Sequence, residues 1–250
     1  MSLGVSVRDI VPIPLSTSAT DWAVRTATRK CLYSIHGFMW RNLPLIFQNT
    51  FQGDLAKSAF IEWLNSKRIT RIWEYDRHRT DGFRGWNRLG YQLSVTKRNS
   101  DIVKIDVNSS VPTRGEANNI IINERDIKVT AGERGGRLKE PTSLRADIFV
   151  QIYVRPRTTI TLPAPRRIRH LLRRHGEDAT RQLLDISRVY SGNILDGFAW
   201  AKRADVGRFK RSHERRRELT TWQFWPSRRL YWRCSIRRSR RFIDLPSYLR

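Results

Sequence analysis

Residues 89–112 place the strongest constraint on the fold. They contain two runs in which apolar and polar residues alternate, rich in β-branched side chains, with a polar stretch between them at 97–101. This pattern predicts two strands joined by a tight turn. Because successive side chains of a strand point to opposite faces, the second run should bury one set of apolar residues, namely Val103, Ile105 and Val107. Asp106 and Asn108 then lie together on its polar face, where they can act on a molecule outside the sheet.

Other segments also have readable patterns. Residues 53–67 carry apolar and small side chains at helical spacing, which predicts a helix. Residues 145–154 are dominated by apolar side chains, which predicts a strand buried at the centre of a sheet. Residues 69–76 predict a further strand, whereas the mixed periodicity of 113–129 leaves helix and strand both open.

Residues 103–110, Val-Lys-Ile-Asp-Val-Asn-Ser-Ser, resemble the second half of the active-site motif of the PD-(D/E)XK nuclease superfamily, the fold of many restriction endonucleases and repair nucleases. In that superfamily an acidic residue and a lysine stand two apart on one strand, and another acidic residue lies on the preceding strand. The carboxylates hold a divalent metal ion that polarises the phosphodiester, while the lysine positions or deprotonates the attacking water. The resemblance implies an α/β fold with a mixed central β-sheet flanked by helices, a restriction-endonuclease-like core and a basic C-terminal extension.

The match to this motif is partial. Asp106 fits the second acidic position, but Asn108 stands where the lysine is usual, and Gln92 stands near the position of the first aspartate. Lys57 stands near the place where the superfamily often carries a glutamate on its first helix. Because a single carboxylate holds Mg²⁺ poorly, these residues favour a fold that has kept binding and has lost or displaced hydrolysis.

The resemblance also assigns possible roles to neighbouring polar residues. Asp76 and Asp81 could replace the missing first carboxylate, although an ion-pair or loop role is favoured for each because arginines surround them. Mg²⁺ is implied at Asp106 with Asp76 or Asp81 if the chain is catalytic, and no cofactor is implied otherwise. Gln151, on the strand after the motif, could support the site or could satisfy backbone groups at a sheet edge.

The charge balance restricts the partners of the chain. Lys and Arg number 48 against 23 Asp and Glu, which gives a formal net charge of +25 and a pI near 11.3. A folded chain with this charge repels itself unless a polyanion neutralises it, and nucleic acid is the expected partner. A charge related only to solubility and an anionic membrane are the alternatives. Aromatic residues interleaved with the arginines disfavour the membrane.

Candidate phosphate contacts lie in the last third of the chain, where basic residues are dense. Helical segments are expected at 163–175 and 180–189, with arginines that acidic residues do not compensate. The nucleic-acid-binding prediction names nine residues: Arg155, Arg157, Arg166, Arg167, Arg169, Arg173, Arg174, Lys210 and Arg211.

The end of the chain has two further aromatic segments. Residues 197–206 resemble the aromatic turn-and-helix element of several bacterial PD-(D/E)XK proteins, and 221–236 predict a final hairpin. Trp222 and Trp232 in that hairpin could stack on bases, but a position in the core is favoured for both.

The composition divides the chain into three segments. Residues 1–50 predict an N-terminal helical segment, 51–160 the nuclease-like α/β core, and 161–250 an arginine-rich extension of helices and a hairpin. Cys31 and Cys234 are too few for a disulfide framework or a zinc site, so reduced cysteines and an intracellular, cytoplasmic location are expected. No signal peptide and no stretch long enough to span a bilayer are expected either.

Two hypotheses follow for the function. In the first, the chain is an Mg²⁺-dependent DNA endonuclease of restriction or defence type. In the second, it is a non-catalytic nucleic-acid-binding protein on a nuclease-like scaffold, as a subunit of a larger nucleoprotein complex. The departures from the motif favour the second hypothesis, with DNA favoured over RNA.

Overall fold

The structure is a computed structural model. It describes residues 3–34, 43–83, 87, 89–113, 115–130, 140–155, 170–171, 173–178, 194–206, 219–224, 227–232 and 234–250.

The described part of the chain contains strands and α-helices in similar amounts. They are β1 (Val11–Pro14), β2 (Ile72–Glu74), β3 (Leu93–Thr96), β4 (Ile102–Ser110), β5 (Val129–Thr130), β6 (Ile148–Val154), β7 (Ile194–Lys202), β8 (Leu219–Phe224), β9 (Ser227–Trp232) and β10 (Arg240–Arg241). The α-helices are α1 (Thr17–Ser34), α2 (Leu43–Ser66), α3 (Asn118–Glu124) and α4 (Leu245–Leu249).

Seven of these strands form one mixed sheet in the order β1-β7-β6-β4-β3-β2, with β10 beside β7. β4 and β6 are parallel, and the other neighbours are antiparallel. The remaining strands form a small antiparallel sheet in the order β5-β9-β8. The α/β class and the mixed central sheet flanked by helices are therefore confirmed.

The first helices cover one face of the large sheet. Their apolar side chains, such as Phe60 and Leu64 of α2, join one buried cluster with Val103 and Ile105 of β4. Ser16 is the N-cap of α1, because its hydroxyl oxygen accepts a hydrogen bond from the amide of Ala19 at 2.9 Å.

The opposite face of the sheet carries a second buried cluster. Ile121 and Ile122 of α3 pack there with Phe149 of β6, Phe198 of β7 and Trp232 of β9. The predicted core position of Trp232 is confirmed, because only 5% of it is exposed.

The hairpin predicted from alternation is confirmed as β3 and β4. Val95 lies opposite Val103, and the connecting turn closes with a hydrogen bond of 2.8 Å from the Lys97 amide to the Asp101 carbonyl. The predicted core residues of β4 are buried, namely Val103, Ile105 and Val107. The strand expected at 145–154 is also confirmed, because all seven residues of β6 are buried between β4 and β7.

Residues 197–202 form a strand, so the prediction of a turn and helix beginning at 197 is wrong for them. They are the second half of β7, and a short 3₁₀ helix, Arg203–Asp205, follows. Gly197 lies opposite both Val11 of β1 and Ile152 of β6. The final hairpin is confirmed as β8 and β9, whereas the helix expected at 180–189 lies outside the described residues.

Strands from all three predicted segments share the large sheet. β1 comes from residues 1–50 and β7 from 161–250, and α2 crosses residue 50 without interruption. Pro12 and Pro14 lie in β1, which is an edge strand. Cys31 and Cys234 are free thiols buried in different clusters. Within the described ranges, no helix has the length and apolar character needed to cross a bilayer.

Candidate functional site

Asp106 is placed in the middle of β4, on the face opposite α1 and α2. Ile105 and Val107 on either side of it face those helices, whereas its partner on β6 is Phe149 of the second cluster. The Asp106 side chain is half-buried, and Asn108 Nδ2 donates to its Oδ2 at 3.3 Å. The alternation of the strand therefore puts the carboxylate and the amide side by side, as predicted.

The carboxyl group of Asp106 has an unusual environment for so basic a chain. Among the described residues, no lysine or arginine forms an ion pair with it. Burial raises its pKa to about 6, although the hydrogen bond from Asn108 acts in the opposite direction. Asp106 can therefore exchange a proton close to neutral pH.

Gln92 and Gln151 lie beside the same stretch of β4. The side-chain oxygen Oε1 of Gln92 accepts a hydrogen bond from the backbone amide of Val107 at 3.3 Å. The backbone amide of Gln92 donates to the Ile105 carbonyl and so extends the pairing of β3 with β4. Gln151 is fully buried opposite Asn108. The structure thus brings together four of the five predicted catalytic residues, namely Asp106, Asn108, Gln92 and Gln151.

The side-chain amide of Gln151 links β6 to β4 and to the residue before β5. Its Oε1 accepts from the backbone amide of Lys128 at 3.2 Å, and its Nε2 donates to Ser110 Oγ at 3.1 Å and to the Ile152 carbonyl at 3.3 Å. These bonds satisfy its polar atoms inside the fold, beside a register shift between β6 and β7. Gln151 therefore does satisfy backbone groups, although at the centre of the sheet rather than at an edge, and a role in supporting the site stays a prediction.

Asp76, the candidate replacement for the first carboxylate, lies on the side of the sheet that α1 and α2 cover. Its carboxylate binds the ammonium groups of Lys57 and of Lys30, the latter at 2.7 Å. Lys57 Nζ also lies 2.6 Å from Glu74 Oε1 and 3.3 Å from Asp54 Oδ1. We call these five residues the Lys57 network.

The Lys57 network is a buried group of opposite charges. Burial alone would lower the pKa of Lys57, but the carboxylates of Asp54, Asp76 and Glu74 together raise it above its ordinary value. Burial alone would raise the pKa of Asp76, but Lys57 and Lys30 lower it. Lys57 and Asp76 therefore stay charged, and the network joins α1 and α2 to the end of β2.

Asp81, the other candidate replacement, lies on an exposed loop. Arg79 binds it through two hydrogen bonds of 2.7 Å, from Nε to Oδ1 and from Nη2 to Oδ2. Asp76 is therefore on the other side of the sheet from Asp106, whereas Asp81 is bound by Arg79. His78 nearby is exposed and stacks on Trp73 at 5.5 Å.

The residues around Asp106 do not form a ligand set for Mg²⁺. Hard cations prefer several oxygen ligands, usually with more than one carboxylate, and Asp106 is the carboxylate here beside one amide. In the part of the chain that the structure describes, no three His, Cys, Asp or Glu side chains are grouped so as to hold a metal ion.

The structure describes three of the nine residues predicted to contact phosphate groups. Arg155 is half-buried and is bound within the fold: its Nε is 3.0 Å from Asp196 Oδ2, and its Nη2 donates to Asn118 Oδ1 at 2.6 Å. Arg173 and Arg174 are exposed. Six further residues lie outside the described residues: Arg157, Arg166, Arg167, Arg169, Lys210 and Arg211.

The Lys57 network was not predicted from the sequence. A signal for it exists in the pattern, because Asp54 and Lys57 stand three apart on one helix face while Glu74 and Asp76 stand at the end of the next expected strand, 69–76. Comparison of the chain with known proteins found no match: no family model, no curated protein and no solved structure matches it.

Proposed function

We propose that this chain is a nucleic-acid-binding protein, with DNA as its partner, on a PD-(D/E)XK-like scaffold that no longer cleaves. It acts inside the cell as a subunit of a nucleoprotein complex. The observation that carries the binding proposal is the charge that the fold leaves without a counterion.

Ion pairs within the fold cannot neutralise the chain. The described pairs include Glu116 with Arg125 at 2.9 Å and Asp205 with Arg240 at 3.0 Å. Since 48 cationic residues face 23 acidic ones, pairing every acid with one cation would still leave 25 positive charges. Phosphate groups of a nucleic acid can supply the missing counterions, and their binding releases condensed salt ions.

The order of the central elements supports the scaffold proposal. α2 is followed by the antiparallel strands β2, β3 and β4, then by α3 and by β6, which runs parallel to β4. Asp106 lies on β4 and Gln151 on β6, the strands on which the resemblance to the nuclease superfamily expects the motif and its support.

The positions of the carboxylates support the loss of cleavage. Asp106 faces away from α1 and α2, whereas Asp76 is held by Lys30 and Lys57 of those two helices. With one carboxylate and the neutral Asn108 in the usual lysine position, the described face of β4 lacks the second acid that the superfamily uses around a phosphodiester. Its lysine, Lys104, stands two residues before Asp106 and not two after it, as the motif requires.

The binding proposal is tested by titrating the full-length protein into a labelled DNA duplex and following the fluorescence anisotropy at several salt concentrations. We expect the logarithm of the association constant to fall linearly with the logarithm of the salt concentration, by about 0.9 per phosphate contact. An RNA duplex of the same sequence should bind more weakly. A salt-independent affinity would refute the phosphate-based mechanism, and tighter binding of RNA would refute the choice of DNA.

A metal-dependent endonuclease is the second candidate, and one observation favours it. Asp106 has no cationic partner among the described residues, although the chain has 48 cationic side chains, and a carboxylate of this kind is common at functional sites. Plasmid cleavage with Mg²⁺ or Mn²⁺ separates the two candidates. The non-catalytic proposal expects background cleavage from the wild type and from Asp106→Ala alike.

A matched control makes the cleavage assay specific. Asp178 is an exposed acid in a 3₁₀ helix, Gly176–Asp178, that contacts α1, so Asp178→Ala removes the same charge outside β4. Cleavage that is present in the wild type and in Asp178→Ala, but absent in Asp106→Ala, would establish the nuclease and overturn the non-catalytic proposal.

A further inference from the structure

A basic cleft lies at the end of the sheet where β3 turns into β4. Its volume is about 580 Å³. The end of α2, the start of β2, the turn after β3 and the last residues of α4 surround it. The lining residues are Ser66, Lys67, Arg68, Ile69, Thr70, Arg71, Thr96, Arg98, Leu249 and Arg250.

The side-chain charges of this basic cleft have one sign. Five of its ten lining residues are cationic and none is acidic: Lys67, Arg68, Arg71, Arg98 and Arg250. Among the described residues, none of the five forms an ion pair with a carboxylate. Like charges held together in a concave surface repel one another and concentrate anions from solution.

The end of α2 fixes one wall of the cleft. The amide of Ile69 donates to the Leu64 carbonyl at 3.0 Å, and the amide of Arg68 donates to the Asn65 carbonyl at 2.9 Å. These two bonds form a Schellman motif, in which the residue after the helix adopts a left-handed conformation and is usually glycine. Here that residue is Arg68, with φ of +63°. An arginine therefore occupies a position where its backbone is strained and where its side chain lines the cleft.

The turn after β3 fixes the opposite wall. Arg71 donates from Nη2 to the carbonyl of Lys97, and the amide of Ser100 donates to that same carbonyl at 3.1 Å. The amide of Arg98 donates to the Arg250 carbonyl at 3.3 Å. These bonds use the backbone of the turn, and they leave the exposed guanidinium group of Arg98 available to a ligand.

We propose that this basic cleft binds phosphate groups of a nucleic-acid backbone. The inference rests on the proposed function for the nature of the partner, but it assigns the contact to a part of the chain distinct from the arginine-rich region after residue 155. Guanidinium groups bind phosphate oxygens through paired hydrogen bonds. Those of Arg71 and Arg250 are already oriented by hydrogen bonds to the carbonyl groups of Lys97 and Lys67. The cleft is also separate from Asp106, which lies four residues, about 13 Å, beyond the first residue of β4.

A pair of triple variants tests the site. The cleft variant carries Lys67→Gln, Arg68→Gln and Arg98→Gln, whose side chains are exposed and make no bond on which the described fold depends. The control variant removes the same charge from exposed positions outside the cleft: Arg8→Gln, Arg25→Gln and Arg238→Gln. Both proteins have the same net charge, so a difference between them reports position alone.

Binding of a labelled DNA duplex is measured by fluorescence anisotropy for the wild type and both variants. We expect the cleft variant to lose at least about tenfold in affinity, and its salt dependence to become shallower by about 2.7, which is 0.9 for each of three lost contacts. The control variant should lose much less. Equal losses in both variants would overturn the cleft while leaving nucleic-acid binding intact.

Inorganic tripolyphosphate tests whether the cleft binds free phosphate groups or those of a nucleic-acid backbone. It should displace the duplex from the wild type and should bind the cleft variant more weakly. If the wild type binds tripolyphosphate in the cleft but binds no DNA or RNA, the nucleic-acid backbone is excluded as the ligand and the proposed function fails with it.

A single substitution distinguishes the loss of a ligand contact from a general loss of structure. Arg68→Gly places the favoured residue in the left-handed position, so the urea midpoint of unfolding should rise while affinity for the duplex falls. A variant that is more stable and binds equally well would show that Arg68 does not contact the ligand.

Discussion

At Gly197 the ring of Phe242 occupies the place where a side chain would begin. A Cβ atom there would lie 2.6 Å from a ring carbon, and Phe242 is fully buried against Phe60 and Trp63. We expect Gly197→Ala to reduce the free energy of unfolding by about 1 to 3 kcal/mol, because the ring cannot move aside freely. Urea denaturation followed by tryptophan fluorescence measures the change.

Gly53 provides the control for this substitution. It lies inside α2, and a Cβ atom there would meet Ser109 Oγ at an ordinary contact distance of 3.9 Å. Gly53→Ala should therefore stabilise the protein, by about 0.5 to 1 kcal/mol, since alanine is the better helix former. A loss of stability at Gly53 similar to that at Gly197 would contradict this account of the two sites.

The raised pKa of Asp106 has a consequence for stability. Because its folded-state pKa of about 6 lies above the ordinary value of 3.8, the folded protein holds the proton more tightly than the unfolded chain between these pH values. Its contribution to the free energy of unfolding is therefore lost as pH rises from about 4 to 6.

Asp106→Asn removes this titration. We expect the variant to be more stable than the wild type at pH 7, by about 1 to 2 kcal/mol, because solvent reaches part of the side chain and reduces the full effect. At pH 3.5 the two proteins should be nearly equal. Urea denaturation across this pH range measures both quantities, and a variant that is less stable at pH 7 would show that the ionised carboxylate has a stabilising partner.

The contact between α1, α2 and β2 depends on one ammonium group. Lys57 is almost fully buried, and three carboxylates surround it. We expect Lys57→Met to reduce the free energy of unfolding by about 3 to 5 kcal/mol, because it leaves these carboxylates buried with fewer cations. Lys67→Met, just after the same helix, removes an exposed charge and should change stability by less than about 0.5 kcal/mol.

Addition of Asp76→Asn to Lys57→Met separates charge from packing. If uncompensated charge causes the loss, the double variant should recover part of the stability lost in Lys57→Met. Equal stability of the single and double variants would assign the loss to packing of the lysine stem instead.

The elements that the sequence predicts well are those with a local pattern. β4 alternates between a core face and a polar face, and β6 is apolar apart from Gln151 and rich in β-branched residues, so both could be predicted. β7 could not, because its Gly-Phe-Ala-Trp-Ala stretch is buried but contains no β-branched residue to mark a strand.

Sequence patterns predict the candidate site only where its residues are close together in the chain. Asp106 and Asn108 share a strand face, so their proximity follows from alternation alone. The separation of Asp76 from Asp106 depends on how the chain leaves β2 and on the lysines of α1 and α2, which are non-local contacts. The basic cleft likewise joins residues from the end of α2 and from α4, which are far apart in the sequence. No local pattern predicts that these two segments lie together.

For the whole molecule, the net charge of +25 predicts an effect of salt on stability. Raising the NaCl concentration from about 50 mM to 200 mM shortens the range of charge repulsion, so the thermal midpoint should rise in the absence of nucleic acid. With a DNA duplex present, the same addition of salt should lower the midpoint, because it weakens the complex. Calorimetry of both samples checks the two signs, and an equal response with and without DNA would contradict this prediction.

The pairing of β1 with β7 affects how the chain matures on the ribosome. Val11 lies opposite Gly197, so β1 has no partner in the large sheet until the residues of β7 have been synthesised. During that interval an extended nascent segment could join strands of other unfinished chains. Pro12 and Pro14 lack amide hydrogens and so weaken such pairing, and we expect them to reduce aggregation through β1 during translation.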